Sequence, residues 1–379
     1  MDSHLSSIVL KEIENKSVVW FQNSNQYLIL ENVVAEIVKK LYYENNIEEI
    51  AKTLKKNLAI PFEKAFDFII DIDEQIVKPN KTIKKSILVQ NSDFTIPSSF
   101  EFIKYYQIAQ KVMKVSYSSE FELSLIHPKF AHLEVTKPKK INFSFQTFNN
   151  TDHTYLVLDN ELIGSWSKKD IHYFQGKFSM KIIESVYEKL EEKWMGIFHA
   201  SAINHQEDSM LILGDSGNGK STSLALLQAH GFHCIADDFV PIDDAKNIHS
   251  FPAGISIKKN SFPILLDYYP ELKSSAEYHY ERLNKIVHYL PPKNIDYKKS
   301  FPCKTLIFIK YDDNIEFECK EISKLNAFEN LIPDSWISSI SNNVTVFLNW
   351  FSSLSCYQLT YSNNQLMIDS VRKLFKNDL

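Results

Sequence analysis

One short stretch, GDSGNGKST at residues 214–222, combines residue types and spacing that could do chemistry. The chain of 379 residues has only 8 glycines, yet Gly214, Gly217 and Gly219 all fall inside this stretch. Glycine allows consecutive backbone N–H groups to turn inward, and such a nest binds anions. The stretch also satisfies G-x-x-x-x-G-K-[ST] between a strand-like run and a helix-like run, the context of nucleotide phosphate loops. It therefore predicts a phosphate-binding loop followed by a helix.

The polar residues of this loop have distinct predicted roles. Lys220 is expected to face solvent and to reach the β- and γ-phosphates, and the Ser221 hydroxyl is placed to ligate Mg²⁺. The residues expected to contact the nucleotide are Gly214, Asp215, Ser216, Gly217, Asn218, Gly219, Lys220, Ser221 and Thr222. A chance match in an ordinary loop is the alternative, and the scarcity of glycine elsewhere disfavours it.

Two adjacent carboxylates follow the next apolar run, FHCIADD at residues 232–238. A carboxylate at the end of a neighbouring strand commonly serves Mg²⁺ beside a phosphate loop. Asp237 and Asp238 together suggest two tasks, because one can serve the metal while the other faces an acceptor hydroxyl. A capping role for one of them is the structural alternative.

Three ordered motifs resemble HPr kinase/phosphorylase and its related P-loop serine kinases: HASAI at 199–203, the GDSGNGKST loop, and ADDFVPI at 236–242. Two further segments, FPAGISIKKNSF at 251–262 and CYQLTYSNN at 356–364, resemble the related-kinase branch. The resemblance spans roughly residues 98–379. It implies an α/β fold, a P-loop kinase domain of the HPr-kinase type.

The resemblance also implies ligands and roles. ATP with Mg²⁺ is expected on the loop, Asp237 is expected to accept or orient the proton of the acceptor hydroxyl, and Asp238 to support Mg²⁺. His199 is expected near the same phosphates, with a core histidine as the alternative. Because phosphoryl transfer needs little covalent help from protein, positioning and charge neutralisation should supply most of the rate.

The sequence departs from the enzymes that phosphorylate HPr. Their glutamate-containing signature and arginine-bearing segment after the ADD motif are not recognisable here, so neither HPr as substrate nor phosphorolysis is implied. Arg282, one of only two arginines, is the candidate to stabilise the transferring phosphate. Lys285 could do so instead, and a plain surface position is the alternative for Arg282.

The first 80 residues predict a separate, winged-helix-like α+β domain. VVWF (18–21) and YLIL (27–30) are strand-like runs on either side of a polar turn. Three short amphipathic helices follow, the third beginning at Pro61. This order resembles the PqqD-like domains, the precursor-recognition modules of ribosomal peptide modification systems. A helical accessory domain is the alternative, and a DNA reader is disfavoured because this part has no arginine and alternates Lys with Glu.

The predicted organisation is thus a PqqD-like domain at 1–80, a linker at 81–97 and the kinase domain at 98–379. Within the last of these, SMKIIESVYEKLEEKW (179–194) predicts an amphipathic helix ahead of the loop.

Composition restricts the partners and the compartment. The net charge of −5 argues against a dedicated nucleic-acid binder. The four cysteines are widely spaced, which favours a reduced protein over a disulfide scaffold or a zinc site. With no apparent signal peptide and no run of about 20 apolar residues, we expect a cytoplasmic protein without membrane partners, and oligomer formation is left open.

These features predict a phosphotransferase. The expected reaction moves the γ-phosphate of ATP to a Ser/Thr-type hydroxyl of a peptide or protein, a ribosomally made precursor peptide captured by the N-terminal domain. A kinase for a small hydroxylated metabolite and a non-catalytic, nucleotide-gated peptide-binding scaffold are the alternatives. The presence of Lys220, Ser221 and both aspartates favours an enzyme.

Overall fold

A computed structural model describes residues 7–44, 46–83, 94–150, 152–280 and 285–376. The chain forms a mixed α/β structure that divides into two compact units. The first unit comprises Met1–Ser86, Ser323–Asn330 and Ile337–Ser353, and the second comprises Ile87–Ile322, Leu331–Trp336 and Leu354–Leu379.

The N-terminal part of the first unit is a three-stranded antiparallel sheet followed by helices. Its elements are β1 (Ile8–Ile13), β2 (Lys16–Phe21), β3 (Gln26–Glu31), α1 (Asn32–Tyr43), α2 (Ile47–Leu58), α3 (Phe62–Ile72), a π-helical turn (Asp73–Val77) and α4 (Lys78–Lys81). The strands lie in the order β1-β2-β3. The two predicted strands are confirmed within β2 and β3, whereas β1 was not predicted, because IVLKEI mixes polar and apolar residues without strict alternation.

The second unit begins with a five-stranded sheet, β4 to β8 in sequential order, that packs with two helices. Its elements are β4 (Phe102–Ile108), β5 (Lys111–Tyr117), α5 (Glu120–Phe130), β6 (Phe143–Asn149), β7 (His153–Leu158), β8 (Glu161–Ser167) and α6 (Ile171–Tyr187). β5 and β6 are parallel, with α5 as the crossover between them, and the other pairs are antiparallel.

The remaining elements build a ten-stranded sheet and a small three-stranded sheet. They are β9 (Trp194–Phe198), β10 (Ser201–His205), β11 (Asp208–Leu213), α7 (Lys220–Ala229), β12 (His233–Asp237), β13 (Val240–Asp243), β14 (Asn247–His249), β15 (Ile255–Lys258), α8 (Phe262–Leu265), β16 (Tyr278–Tyr280), β17 (Lys285–Leu290), β18 (Ser300–Tyr311), β19 (Phe317–Glu321), α9 (Lys324–Leu331), β20 (Ser335–Ile337), α10 (Ser341–Ser353), β21 (Ser355–Tyr361) and α11 (Asn364–Lys376).

The large sheet holds β11, the strand that precedes the glycine loop, between β10 and β18. Its order is β12-β10-β11-β18-β14-β13-β9-β20, with β21 paired to both β18 and β19. β11 runs parallel to β18, so the loop after β11 lies at the sheet edge where β18 also ends. One face of the sheet and α7 share a continuous apolar core with β15 and α11. The loop therefore rests on a rigid support.

The helix predicted at 179–194 is shifted in the structure, where α6 spans Ile171–Tyr187. Its buried stripe, Phe174, Phe178 and Ile182, has four-residue spacing and begins earlier than the predicted helix. The helix ends at Glu188, whose φ of +52° is left-handed. A terminating backbone conformation of this kind at a non-glycine residue is not visible in the sequence.

Two helices from the distant part of the chain belong to the first unit. Val18 and Trp20 are fully buried but point away from the face of β2 that packs on α1 to α3, so the sheet has a second buried face. There the ring of Tyr27 meets Phe328 of α9 at 5.7 Å and Phe347 of α10 at 5.9 Å. The sequence-based division assigned 98–379 to one domain and so did not separate α9 and α10 from it. The predicted linker, 81–97, falls largely outside the described residues.

Candidate functional site

The loop 214–222 has the backbone geometry that its glycines predict. Gly214, Gly217 and Gly219 have φ values of +145°, +106° and +91°, which L side chains rarely adopt. A Cβ on Gly214 would lie 2.5 Å from the carbonyl oxygen of Ile309 in β18, so a side chain there would collide with the neighbouring strand. The glycines thus allow a tight turn against the sheet.

Lys220 begins α7, but it does not face solvent as predicted. It is only 7% exposed, and its ammonium donates to the carbonyl of Gly214 and, at 3.5 Å, to that of Asp215. The ammonium thus satisfies carbonyls of its own loop while still lining the adjacent cleft. A phosphate entering the loop would compete with these carbonyls for Nζ.

The start of α7 is fixed by hydroxyl contacts. Ser223 Oγ donates to the carbonyl of Gly219 at 2.9 Å and lies 2.7 Å from the hydroxyl of Tyr361 in β21. Thr222 Oγ1 lies 2.6 Å from Ser261 Oγ. These contacts hold the amino end of the helix, with its positive dipole, against the loop.

Asp237 ends β12 and is almost fully buried, at 2% exposure. Its carboxylate accepts hydrogen bonds from Ser201 Oγ at 2.6 Å and from the Ser256 N–H at 3.0 Å. Burial, and then the neighbouring Asp238, raise the pKa of Asp237, while contacts with the hydroxyls of Ser201 and Ser221 act in the opposite direction. Asp237 is therefore a buried carboxylate next to the loop serine.

Asp238 differs from its neighbour because its side chain is 35% exposed and lines the cleft. Its φ of +62° is left-handed, a conformation that aspartate tolerates better than most residues and that ends the strand. His199 Nδ1 lies 3.2 Å from the Asp238 carbonyl oxygen and 4.0 Å from Oδ1. The His199 side chain is 44% exposed, so it is not a core histidine.

The cleft has a volume of about 1080 Å³ and is lined by residues of the second unit. One wall is the phosphate loop with Asp238 and His199, and another is formed by α5 and the start of α6, including Phe121, Leu125 and Ile171. This volume slightly exceeds the usual range for ligand clefts, about 300–1,000 Å³, so the cleft has room for more than one small molecule.

Three lysines outside the motif line the same cleft: Lys129 of α5, Lys258 of β15 and Lys285 of β17. Lys285 Nζ lies 3.2 Å from Ser216 Oγ in the loop. Burial, followed by the charges of Lys285 and Lys220, lowers the pKa of Lys258. Sequence reasoning missed Lys258, although the alternation of Ile255 and Ile257 with polar residues carries a signal that Ser256 and Lys258 share the other face of the strand. Arg282 lies outside the described residues.

Aromatic hydroxyls border this part of the cleft. Tyr280 and Tyr289 are cleft residues whose hydroxyl oxygens lie 2.8 Å apart. Burial and then the neighbouring Tyr280 raise the pKa of Tyr289 well above its ordinary value, and Asp238 and Asp237 act in the same direction. These two tyrosines therefore stay neutral and offer hydrogen bonds close to the carboxylates.

The predicted Mg²⁺ site requires oxygen donors that lie close together. Within the described ranges, no group of three or more His, Cys, Asp or Glu side chains is arranged to hold a metal ion. The Ser221 hydroxyl and the two aspartate carboxylates are nevertheless hard oxygen donors at one place. Mg²⁺ usually keeps several waters and takes substrate phosphate oxygens with one or two carboxylates. The donor set fits an ion that arrives with a nucleotide.

No helix in the described part of the chain is long and apolar enough to cross a membrane. No family model matches the chain, and no curated protein matches it.

Proposed function

We propose that this chain is an ATP- and Mg²⁺-dependent kinase of the HPr-kinase-related P-loop type, and that it phosphorylates a Ser/Thr-type hydroxyl of a peptide or protein. The observation that supports this most strongly is the juxtaposition, across one cleft, of the glycine loop with Lys220 and the carboxylate of Asp238. A phosphate group and a hydroxyl that is to attack it need these two kinds of residue a few ångströms apart.

The nucleotide would be bound by residues 214–222. Backbone N–H groups of the loop and the amino end of α7 would take the phosphates, with Lys220 leaving the Gly214 carbonyl to contact them. Ser221 and Asp237 would hold Mg²⁺, which when bound neutralises phosphate charge as it builds up on transfer.

We assign the two aspartates in the reverse of the expected order. Asp238 is the carboxylate that reaches the cleft, so it would orient the acceptor hydroxyl and take its proton. Asp237 is buried beside Ser221, where it is better placed to serve the metal. Its hydrogen bonds from Ser201 and Ser256 fix its carboxylate in one orientation. His199, beside Asp238, would support its carboxylate or contact phosphate.

The acceptor would enter beside α5 and α6. There the apolar side chains of Phe121, Leu125 and Ile171 form a wall of the cleft. Apolar surface next to a phosphate site is suited to the side chains flanking a serine or threonine in a peptide, because their burial adds affinity away from the reacting atoms.

We further propose that the N-terminal sheet is a winged-helix-like, PqqD-like module that captures the peptide. Within the described residues the outer edge of β3 has no strand partner, since the sheet order is β1-β2-β3. An unpaired edge can accept an extended peptide as an additional strand through main-chain hydrogen bonds.

The kinase proposal is tested by transfer of labelled γ-phosphate from ATP to a randomised array of Ser- and Thr-containing peptides. We expect transfer by the wild type, loss of transfer on the order of 10²-fold or more for Lys220→Ala, and unchanged transfer for Lys140→Ala, an exposed lysine far along the sequence from the loop. Near-normal transfer by Lys220→Ala would refute the loop assignment. Phosphorylation of small hydroxylated compounds but of no peptide would change the acceptor class.

Capture by β3 has its own test. A peptide selected from the array should slow amide hydrogen exchange in Gln26–Glu31, because the outward N–H groups become hydrogen-bonded. Protection confined to the cleft would show that the peptide docks only there.

A further inference from the structure

The cleft holds more positive charge than the loop motif requires. Besides Lys220, it is lined by Lys129 of α5 and by a pair outside the glycine motif, Lys285 and Lys258, which come from a different sheet. Lys259, the next residue along the chain, instead pairs with Glu277 at 3.1 Å and is not a cleft residue. Of these two adjacent lysines, Lys258 lines the cleft and Lys259 does not.

The small sheet fixes the spacing of this pair. β15 and β17 are antiparallel, and Lys258 is opposite Val287. Lys285 is two residues from Val287 along β17, so it projects from the same face as Val287 and is a diagonal neighbour of Lys258, about 7–8 Å away between backbones. Two lysine side chains at this distance can reach one phosphate from two directions.

The pair is also directed at the loop. Lys285 Nζ is 3.2 Å from Ser216 Oγ, in the half of the loop that precedes Lys220. Lys285 and Lys220 repel Lys258, and Asp238 partly offsets this, so three ammonium groups and one carboxylate face the same cleft. Repulsion among the three ammonium groups is unfavourable, and a multiply charged anion bound between them would remove this repulsion.

We propose that Lys258 and Lys285 form a two-lysine clamp on the γ-phosphate of the nucleotide, opposite Lys220. This inference rests on the proposed kinase function and names which further residues contact the transferring group. In the transfer, the acceptor oxygen forms a bond to the γ-phosphorus, and the bond from that phosphorus to the β-bridging oxygen breaks. The electron pair leaves with ADP, and the acceptor proton goes to Asp238. Two point charges on the equatorial oxygens would supply the stabilisation that a single arginine gives elsewhere.

The clamp predicts a γ-phosphate-specific binding effect, which can be measured without knowing the acceptor. Calorimetric dissociation constants for ATP·Mg²⁺ and ADP·Mg²⁺ are compared in wild type, Lys258→Met, Lys285→Met and the matched control Lys259→Met. We expect each clamp variant to weaken ATP binding about tenfold, as for loss of one charged hydrogen bond. ADP binding should stay within about twofold, because ADP lacks the group that the clamp holds. Lys259→Met should bind both nucleotides like the wild type.

The outcomes separate this inference from the function that it rests on. A wild type that binds neither nucleotide overturns the kinase proposal, and the clamp with it. A wild type that prefers ATP, with clamp variants that retain the preference or lose ATP and ADP affinity equally, overturns the clamp alone. Lys258→Arg provides a second check, since restoring the charge should restore most of the preference for ATP, whereas a purely steric role for Lys258 would not be rescued. Circular dichroism confirms that each variant is folded.

Discussion

The phosphate loop and the N-terminal sheet are built in opposite ways. The loop, its strand and its helix occupy 22 consecutive residues, 208–229, and their conformation follows from glycines at fixed spacing. The N-terminal sheet is contiguous as well, but one of its faces is covered by α9 and α10, which come about 300 residues later. The geometry of the loop is thus set by residues close in sequence, whereas the packing of the N-terminal sheet depends on distant ones.

The difference also appears in what the buried groups do. At the glycine loop, buried Lys220 and the neighbouring buried Asp237 are polar and have hydrogen-bond partners, which fix their positions. In the first unit the covered face is aromatic, and among the residues that the structure describes the buried hydroxyl of Tyr27 has no hydrogen-bond partner. Under the proposed function, substitutions in the cleft should change nucleotide binding and phosphate transfer, whereas substitutions in the first unit should change stability.

The largest expected effect on transfer or nucleotide binding comes from replacing Asp238 or Asp237. Asp238→Asn should reduce phosphate transfer by about 10²- to 10⁴-fold, the usual contribution of a positioned base, and leave ATP·Mg²⁺ affinity nearly unchanged. Asp237→Asn should instead weaken ATP binding in the presence of Mg²⁺ but not in its absence. Steady-state transfer and calorimetry with and without Mg²⁺ provide the measurements, and the opposite pattern would return the two residues to their originally expected roles.

In the first unit, Phe347→Ala should destabilise folding by about 3–5 kcal/mol, as for other buried aromatic truncations. Its ring is fully buried and contacts Tyr27, Phe328 and Trp350. Urea unfolding followed by tryptophan fluorescence measures the loss, and the dissociation constant for ATP should not change. Val33→Ala, at a position 55% exposed in the same unit, serves as the control. An unaltered unfolding curve would mean that α10 does not stabilise the N-terminal sheet.

Two glycine substitutions separate the effect of a steric clash from the effect of backbone strain in the loop. Gly214→Ala should cost about 2–3 kcal/mol of stability, because it adds a clash with a strand to an unfavourable φ. Gly217→Ala has open space around its Cβ, so only the backbone strain, about 1 kcal/mol, should remain. Chemical denaturation measures both, and equal losses would show that the contact with Ile309 does not matter.

A further expected effect is a pH dependence of stability at a carboxylate outside both regions. Burial alone would raise the pKa of Asp243, but hydrogen bonds from His249, Lys189 and the Asn247 N–H outweigh it and hold the pKa at about 2. Since the unfolded-state value is 3.8, this carboxylate stabilises the fold fully above about pH 4 and loses that contribution as the pH falls towards 2.

The contribution of Asp243 amounts to about 2 kcal/mol. Denaturation midpoints at pH 7 and pH 3 should therefore differ less in Asp243→Asn than in the wild type. Asp244→Asn, whose side chain is 36% exposed, should behave like the wild type. A pH dependence in Asp243→Asn identical to that of the wild type would remove this carboxylate from the explanation.

Features that depend on residues close in sequence were predictable, whereas features that depend on distant contacts were not. The strand β11, the glycine turn, the helix α7 and the strand that ends in the two aspartates were predicted because each depends on neighbours in sequence. Lys258 was missed because its position in the cleft depends on the pairing of β15 with β17 across 28 residues. The burial of Lys220 was missed because it depends on a carbonyl six residues away whose orientation the sequence does not show.

The chain order of the first unit has a consequence for synthesis. Its sheet is translated early, but α10 ends at Ser353, so the second face of β2 and β3 stays uncovered while more than 300 further residues are made. At roughly 5–20 residues per second this interval lasts tens of seconds. During it, Trp20 and Tyr27 present an apolar surface on the nascent chain that holdase chaperones could protect. The sheet is thus completed only after α10 has been made, long after its own strands have been translated.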